Sequence, residues 1–185
     1  MFNAKFGIEI EFTGITRSQA AEVAAQFLNG RVENCRDSYD TKKVHTPDGR
    51  AWKFMSDGSI RREVRATGRR ISADGAYSVE LVSPVLTYRE DIATLQELVR
   101  QLRKAGAFTN PSCGIHIHLN GADHTPRSIR NFINIIASKN DLFYKALQIE
   151  HERMRFCKKM DAALVEKINA RKPKTMRGLE ELWYE

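Results

Sequence analysis

The sequence predicts an α+β fold in which helices pack on the apolar face of a mainly antiparallel sheet and leave its polar face open. Three segments carry the prediction. Residues 6–12, 77–83 and 113–119 each alternate strictly, with Phe6, Ile8, Ile10 and Phe12 opposite Glu9 and Glu11, Val79 and Leu81 opposite Glu80, and Ile115, Ile117 and Leu119 opposite His116 and His118. Period-two alternation is the signature of a strand with one buried face. A doubly wound parallel sheet would need strands that are apolar on both faces, so the one-sided sheet fits the pattern better.

The elements follow in order. After the strand at 6–12, Thr16 and Gln19 form a capping-box pattern ahead of Ala20, Val23, Ala24, Phe27 and Leu28, and Asn29-Gly30 supplies the stop of a helix. Residues 31–50 are polar and mixed and receive no element; 51–55 look extended, and Asp57-Gly58 reads as the turn that ends that strand. The arginine-rich segment 60–75 reads as a loop or exposed hairpin. The strand at 77–83 is closed by Pro84. Thr87 and Glu90 predict a second capping box, before a helix through Ile92, Leu95, Leu98, Val99 and Leu102 that ends at Gly106. Beyond the strand at 113–119, Thr125-Pro126 starts a helix through Ile129, Phe132, Ile133 and Ile136, re-capped at Asp141 and continuing past Leu147. Residues 151–185 read as a basic helical segment interrupted at Pro173.

The chain has 185 residues, 42% of them hydrophobic and 29% charged, with 11 Gly and 5 Pro. That make-up predicts one globular domain over 1–185 and excludes disordered, collagen-like and mucin-like classes. A net charge of +7 favours anionic partners. Cys35, Cys113 and Cys157 are odd in number, with no Cys-x-x-Cys pair, so neither a disulfide framework nor a cysteine zinc site is indicated, and a reducing compartment fits. The N-terminal run carries glutamates where a signal peptide needs an apolar stretch, and no apolar run reaches bilayer-spanning length, so the expected location is cytoplasmic, with no membrane partner.

The chemistry lies on the polar strand faces. Glu9 and Glu11 stand about 6.6 Å apart on one face of a strand, and two such carboxylates repel unless a proton or a cation offsets them. His116 and His118 repeat the geometry on another strand, and Glu80 holds the matching position on a third. Carboxylates with imidazole and no thiolate suit Mg²⁺ or Mn²⁺ beside phosphate substrates, while a zinc site of two histidines and a glutamate is the competing reading. A Cys113 thiol nucleophile is disfavoured, because Cys113 shares parity with Ile115 and Ile117. His45, His124 and His151 have no partners at ligand spacing. The basic segments 61–70 and 153–177 have sparse aromatic interleaving and read as solvated faces, so nucleic acid is not indicated as a partner.

These strings, Phe6-Gly-Ile-Glu-Ile-Glu-Phe12, Glu80-Leu-Val-Ser-Pro84 and Cys113-Gly-Ile-His-Ile-His118, in this order and with the Trp52 to Ser59 segment between them, resemble the motif set of the amidoligase family, carboxylate-amine ligases related to glutamine synthetase and gamma-glutamylcysteine ligase. The resemblance implies a curved sheet of the glutamine-synthetase type and an ATP- and metal-dependent ligase that forms an amide through an acyl phosphate, on a small-molecule or peptide carboxylate and an amine. By the same resemblance Glu9, Glu11, Glu80 and His116 match metal ligands, with Glu11, Glu80 and His116 as catalytic groups, His118 a residue near the ATP phosphates, and Gly114 backbone lining the carboxylate substrate. Family members usually continue with a strand bearing Glu-x-Arg, which does not follow Leu119, and Glu63-Val64-Arg65 has those letters out of order. The expectation is therefore an incomplete domain, with self-association through an open sheet edge. The alternative function is a catalytically incomplete metal- or nucleotide-binding remnant, or a His/Glu zinc-binding protein.

Overall fold

Strand β1 (Lys5–Phe12) is the member of the sheet from which the candidate site is built, and helix α1 (Arg17–Leu28) follows it through the turn at Thr13-Gly14. The computed structural model describes residues 4–149 and 151–185. The Thr16 hydroxyl accepts from the Gln19 N–H at 3.2 Å and the Gln19 side chain accepts from the Thr16 N–H at 2.9 Å, so the first predicted capping box is formed. Asn29 then ends the helix in the left-handed region, at φ 52°.

Two short strands occupy the segment that the sequence left unassigned: β2 (Arg31–Asn34) and β3 (Lys42–His45). Both are polar, and of their residues only Val44 is buried, so their composition carries no alternation to read. β4 (Ala51–Met55) follows as expected, and β5 (Glu63–Ala66) and β6 (Arg69–Ser72) form a separate two-stranded hairpin turned by Thr67-Gly68. β7 (Val79–Val82) begins after a single 3₁₀ turn, and β8 (Leu86–Thr87) continues the same edge beyond Pro84. Across the proline, Ser83 keeps the ladder to Ile8: its N–H donates to the Ile8 carbonyl at 2.9 Å and its hydroxyl accepts from the Ile8 N–H at 2.9 Å.

Helix α2 (Tyr88–Lys104) differs from the expected start. Thr87 is its N-cap but makes no side-chain capping bond; instead the Asp91 carboxylate accepts the Thr87 N–H at 2.7 Å and binds Arg50 at 2.8 Å. The Asp91 carboxylate, which accepts from both Thr87 and Arg50, takes the N-cap N–H that the Glu90 side chain would accept in a capping box. Strand β9 (Ile115–Leu119) pairs with the side of β1 away from β7. The sheet therefore runs β2-β3-β4-β7-β1, with β8 beside β7 along β1 and β9 beyond it, and every described pairing is antiparallel.

The chain divides into two compact units, Met1–Asn120 and Gly121–Glu185. In the first, Ala20, Ala21 and Ala24 of α1 and Leu95, Leu98 and Leu102 of α2 share one core with Phe12, Val44, Trp52, Phe54, Val79 and Leu81 of the strands. Fully burying side chains such as Phe54, Leu81 and Leu98 contributes about 1.5–3 kcal/mol each. Ile115, Ile117 and Leu119 do share one face of β9, but they are 62%, 63% and 68% exposed and stand outside this core. The second unit consists of α3 (Pro126–Ala146), α4 (Ala162–Arg171) and α5 (Met176–Tyr184) around Ile133, Ile168, Leu179 and Leu182. α3 is not re-capped at Asp141 and ends with Leu147 as its C-cap; Asp141 lies within the helix and pairs with Lys159. No helix among the described residues is long and apolar enough to cross a membrane.

A buried cation ties the loops of the first unit together. Arg17 is 6% exposed; its Nη1 donates to the carbonyls of Gly75 and Ser78 at 2.7 and 2.8 Å, and its Nη2 to Asp40 at 2.8 Å. Arg17→Leu strands those carbonyls, and the expected loss is about 2–4 kcal/mol in urea unfolding. Gly14 has φ +94°, and an added Cβ would stand 2.5 Å from both the Gly106 carbonyl oxygen and the Phe108 ring. Gly14→Ala is therefore expected to cost at least about 2 kcal/mol by the same measurement, from strain and overpacking together.

Candidate functional site

Antiparallel pairing on both sides of β1 brings the polar positions of three strands together. Glu11 lies directly opposite Glu80 of β7, Glu9 directly opposite His116 of β9, and Gly7 opposite His118. The His116 Nδ1 stands 2.9 Å from Glu9 Oε2 and the His118 Nε2 3.2 Å from Glu9 Oε1. Glu11 is buried, at 2% exposure; its Oε2 accepts the Gly114 N–H at 2.7 Å, and its Oε1 lies 4.0 Å from His116 Nε2. The Gly114 carbonyl in turn accepts the Glu11 N–H at 3.0 Å, so both backbone groups of Gly114 hold Glu11.

A further carboxylate, Asp57, arrives from the turn after β4. Its backbone is pinned by Ser78, which accepts the Asp57 N–H at 3.0 Å and donates its hydroxyl to the Asp57 carbonyl at 2.6 Å. Two groups of three donors result, Glu9–Glu80–His116 and Glu11–Asp57–Glu80, each with its ligand atoms within 4.8 Å of one another, and Glu80 belongs to both. Four carboxylates and two imidazoles thus face one region of the sheet. Asp57 escaped the sequence reading because Asp-Gly is the commonest kind of turn signal. The available clue was register: Met55, two residues earlier, pairs with Glu80.

Charge crowding sets the electrostatics. Burial drives the Glu80 carboxyl upward, the charges of Glu9, Asp57 and Glu11 push it further, and His116 only partly offsets them, leaving it at about 7. At Glu9 burial also acts upward, but the hydrogen bonds and charges of His116 and His118 outweigh it and hold this carboxylate below its usual value. Directly opposed like charges destabilise a strand pair, and a proton or a cation offsets them.

The remaining sequence candidates lie elsewhere. Cys113 precedes β9, and its thiol lies 3.7 Å from Asn110 Oδ1 in a turn that Asn110 organises. Glu63 is engaged by Asn110 Nδ2 at 3.1 Å and by Arg61 at 3.6 Å, while Arg65 sits over the Phe108 ring at 5.0 Å. The Glu63-Val64-Arg65 triplet therefore adds nothing to the carboxylate cluster.

Fold and site together define an α+β protein with an acid-rich carboxylate and imidazole cluster on the polar face of an antiparallel sheet. The family model described as "Putative amidoligase enzyme" matches residues 3–185, and the chain belongs to that family. Comparison with curated proteins and with solved structures found no match.

Glu80 gives the site a pH signature. Its folded pKa of about 7 lies above the usual 4.5, so between those values the folded protein holds a proton that the unfolded chain has released. The stabilisation is complete below pH 4.5 and is lost as pH rises through 7. In metal-free buffer, stability measured by urea unfolding is expected to fall from about pH 5 to about pH 8, by on the order of 1 kcal/mol once solvent screening is allowed for. Glu80→Gln should flatten the profile; a parent protein whose stability rises over that range would refute the assignment.

Proposed function

We infer that the protein is an ATP- and divalent-metal-dependent carboxylate-amine ligase. The observation that carries this reading is the pair of three-donor groups sharing Glu80, in a chain of the amidoligase family. The donor set fits the implied metal. Carboxylate oxygens and imidazole nitrogens without thiolate are the ligands of Mg²⁺ and Mn²⁺, and the excess of negative charge on this face is what a divalent cation would neutralise. Glu9, Glu80 and His116 would hold one ion and Glu11, Asp57 and Glu80 a second. When bound, the metal supplies charge neutralisation on phosphate oxygens.

In the reaction proposed, a carboxylate oxygen of the substrate attacks the γ-phosphorus of ATP, giving an acyl phosphate and ADP. The amine then attacks the acyl carbon, losing a proton and expelling inorganic phosphate, and an amide is left. The chain's own residues orient and balance charge. His116 and His118 fix the Glu9 carboxylate from the β9 side; Gly114 fixes Glu11; the sheet holds all of them rigidly enough that little reorganisation accompanies phosphoryl transfer. His118, on the exposed edge of the group, is placed in this reading toward the nucleotide phosphates. The sheet is read as the curved glutamine-synthetase type, with the carboxylates on its open face.

Titration calorimetry with ATP in the presence and absence of Mn²⁺ tests this. ATP is expected to bind at least about tenfold more tightly with Mn²⁺, and Glu11→Gln and His116→Ala are expected to remove the difference. With ATP, Mg²⁺ and a carboxylate substrate, hydroxylamine should trap the acyl phosphate as a hydroxamate in the parent protein and not in either variant. Tight zinc binding with no effect on ATP affinity would replace this reading with that of a zinc protein.

A further inference from the structure

The other face of the same strands carries a cleft of opposite character. Between the β5–β6 hairpin and the C-terminal end of α2 lies a cavity of about 510 Å³, within the range of small-molecule sites. Its floor is made by Ile10, Phe12 and Leu81, the apolar positions of β1 and β7; Val99 and Leu102 of α2 form one wall. Ile10 sits between Glu9 and Glu11 in the chain, so the cleft and the carboxylate cluster lie on opposite sides of the sheet.

Three arginines rim it, Arg65 and Arg70 from the hairpin and Arg103 from α2, and no acidic side chain lines it. The guanidinium carbons of Arg65 and Arg70 stand 5.0 and 4.7 Å from the centroid of the Phe108 ring, which also lines the cleft. The facing carboxylate is Glu63, whose Oε2 lies 4.0 Å from Arg70 Nη1 and accepts a hydrogen bond from Asn110. One carboxylate so engaged leaves a surplus of positive charge beside an apolar cavity. Two cations on one ring repel each other, and the carbonyl dipoles at the end of α2 are already met by Arg103 and Lys104.

We propose that this cleft binds an amphipathic anion, its carboxylate or phosphate head on Arg65, Arg70 and Arg103 and its aliphatic tail against the partly buried Ile10, Val99 and Ala107. The two head groups share one chemistry, a compact anion that accepts from guanidinium forks. The apolar floor supplies the second requirement, since the tail removes both its own surface and that of Ile10 from water. This ligand is separate from the nucleotide and metal of the ligase reading.

Titration of the full chain with decanoate, decyl phosphate, decanol, acetate and inorganic phosphate tests the proposal, with circular dichroism to confirm that the fold persists. Decanoate or decyl phosphate is expected to bind at least tenfold more tightly than decanol and than either small anion, and the comparison between the two decyl anions identifies the head group. Arg65→Gln combined with Arg70→Gln should weaken the decyl anion tenfold and leave decanol unchanged; both arginines are exposed, so the fold is expected to survive. Val99→Phe, which fills the wall, should weaken binding with the arginines intact. Equal affinity for decanol and decanoate, small anions as tight as the decyl ones, or a double variant that binds like the parent would each overturn it. So would binding confined to an acidic peptide or to anionic vesicles, which would mark the cleft as a docking surface for a macromolecule.

Discussion

Two carboxylates facing each other across neighbouring strands, Glu11 and Glu80, are the constraint to which the rest of the site answers. Such a pair is unfavourable on its own terms: one group is almost fully buried, both repel, and Glu9 and Asp57 add to the field. What holds them together is the reverse side of the same strands. Phe12, Val79, Leu81 and Phe54 are buried against α1 and α2, and the free energy of that burial fixes the register whatever the polar face would prefer. The sheet thus imposes a geometry that the carboxylates alone would relax, and the strain can be relieved only by a proton or a cation.

The ladder on the far side of β1 shows the complementary solution. Burial acts upward on Glu9, but His116 opposite it and His118 beside it outweigh that; Glu11 is held by the backbone of Gly114, which brings a dipole and no charge. Three carboxylates on two strands therefore meet three environments, and Glu80, with no basic group opposite it in the β1 or β4 ladder, keeps its proton to about pH 7. The site has a gradient from the histidine-paired β9 side to the acid-crowded β7 side.

Much of this was legible because period-two alternation reports parity directly: Glu9, Glu11, Glu80, His116 and His118 could be assigned to one face from the sequence, and the capped helices α1 and α3 from their Thr-led starts. The misses have physical causes. β2 and β3 are pinned by pairing rather than by their own composition, with Val44 as their one buried side chain, so no pattern marks them. Asp57 was hidden by the turn chemistry it also performs, and the Asp91 cap by a Glu90 one residue away that fits the motif better than it fits the structure. β9 teaches a different lesson. Alternation told which residues share a face, and the exposure of Ile115, Ile117 and Leu119 shows that parity does not say whether a face is covered.

Net charge hid the most informative feature. A sum of +7 suggested only a taste for anions, whereas the first unit separates its charges across one layer of sheet: four carboxylates on the polar face, three arginines around a cleft on the apolar face. The separation follows from strand geometry, because side chains one residue apart leave in opposite directions and the strand between them is too thin for either field to vanish. Besides burial, the groups that act on Glu80 are Glu9, Asp57, Glu11 and His116, all on its own face of the sheet, so the crowding in front is set there and the arginines belong to the cleft behind. A direct salt bridge would have satisfied Glu80; without one, the carboxylates stay together and Glu80 answers the crowding with a raised pKa.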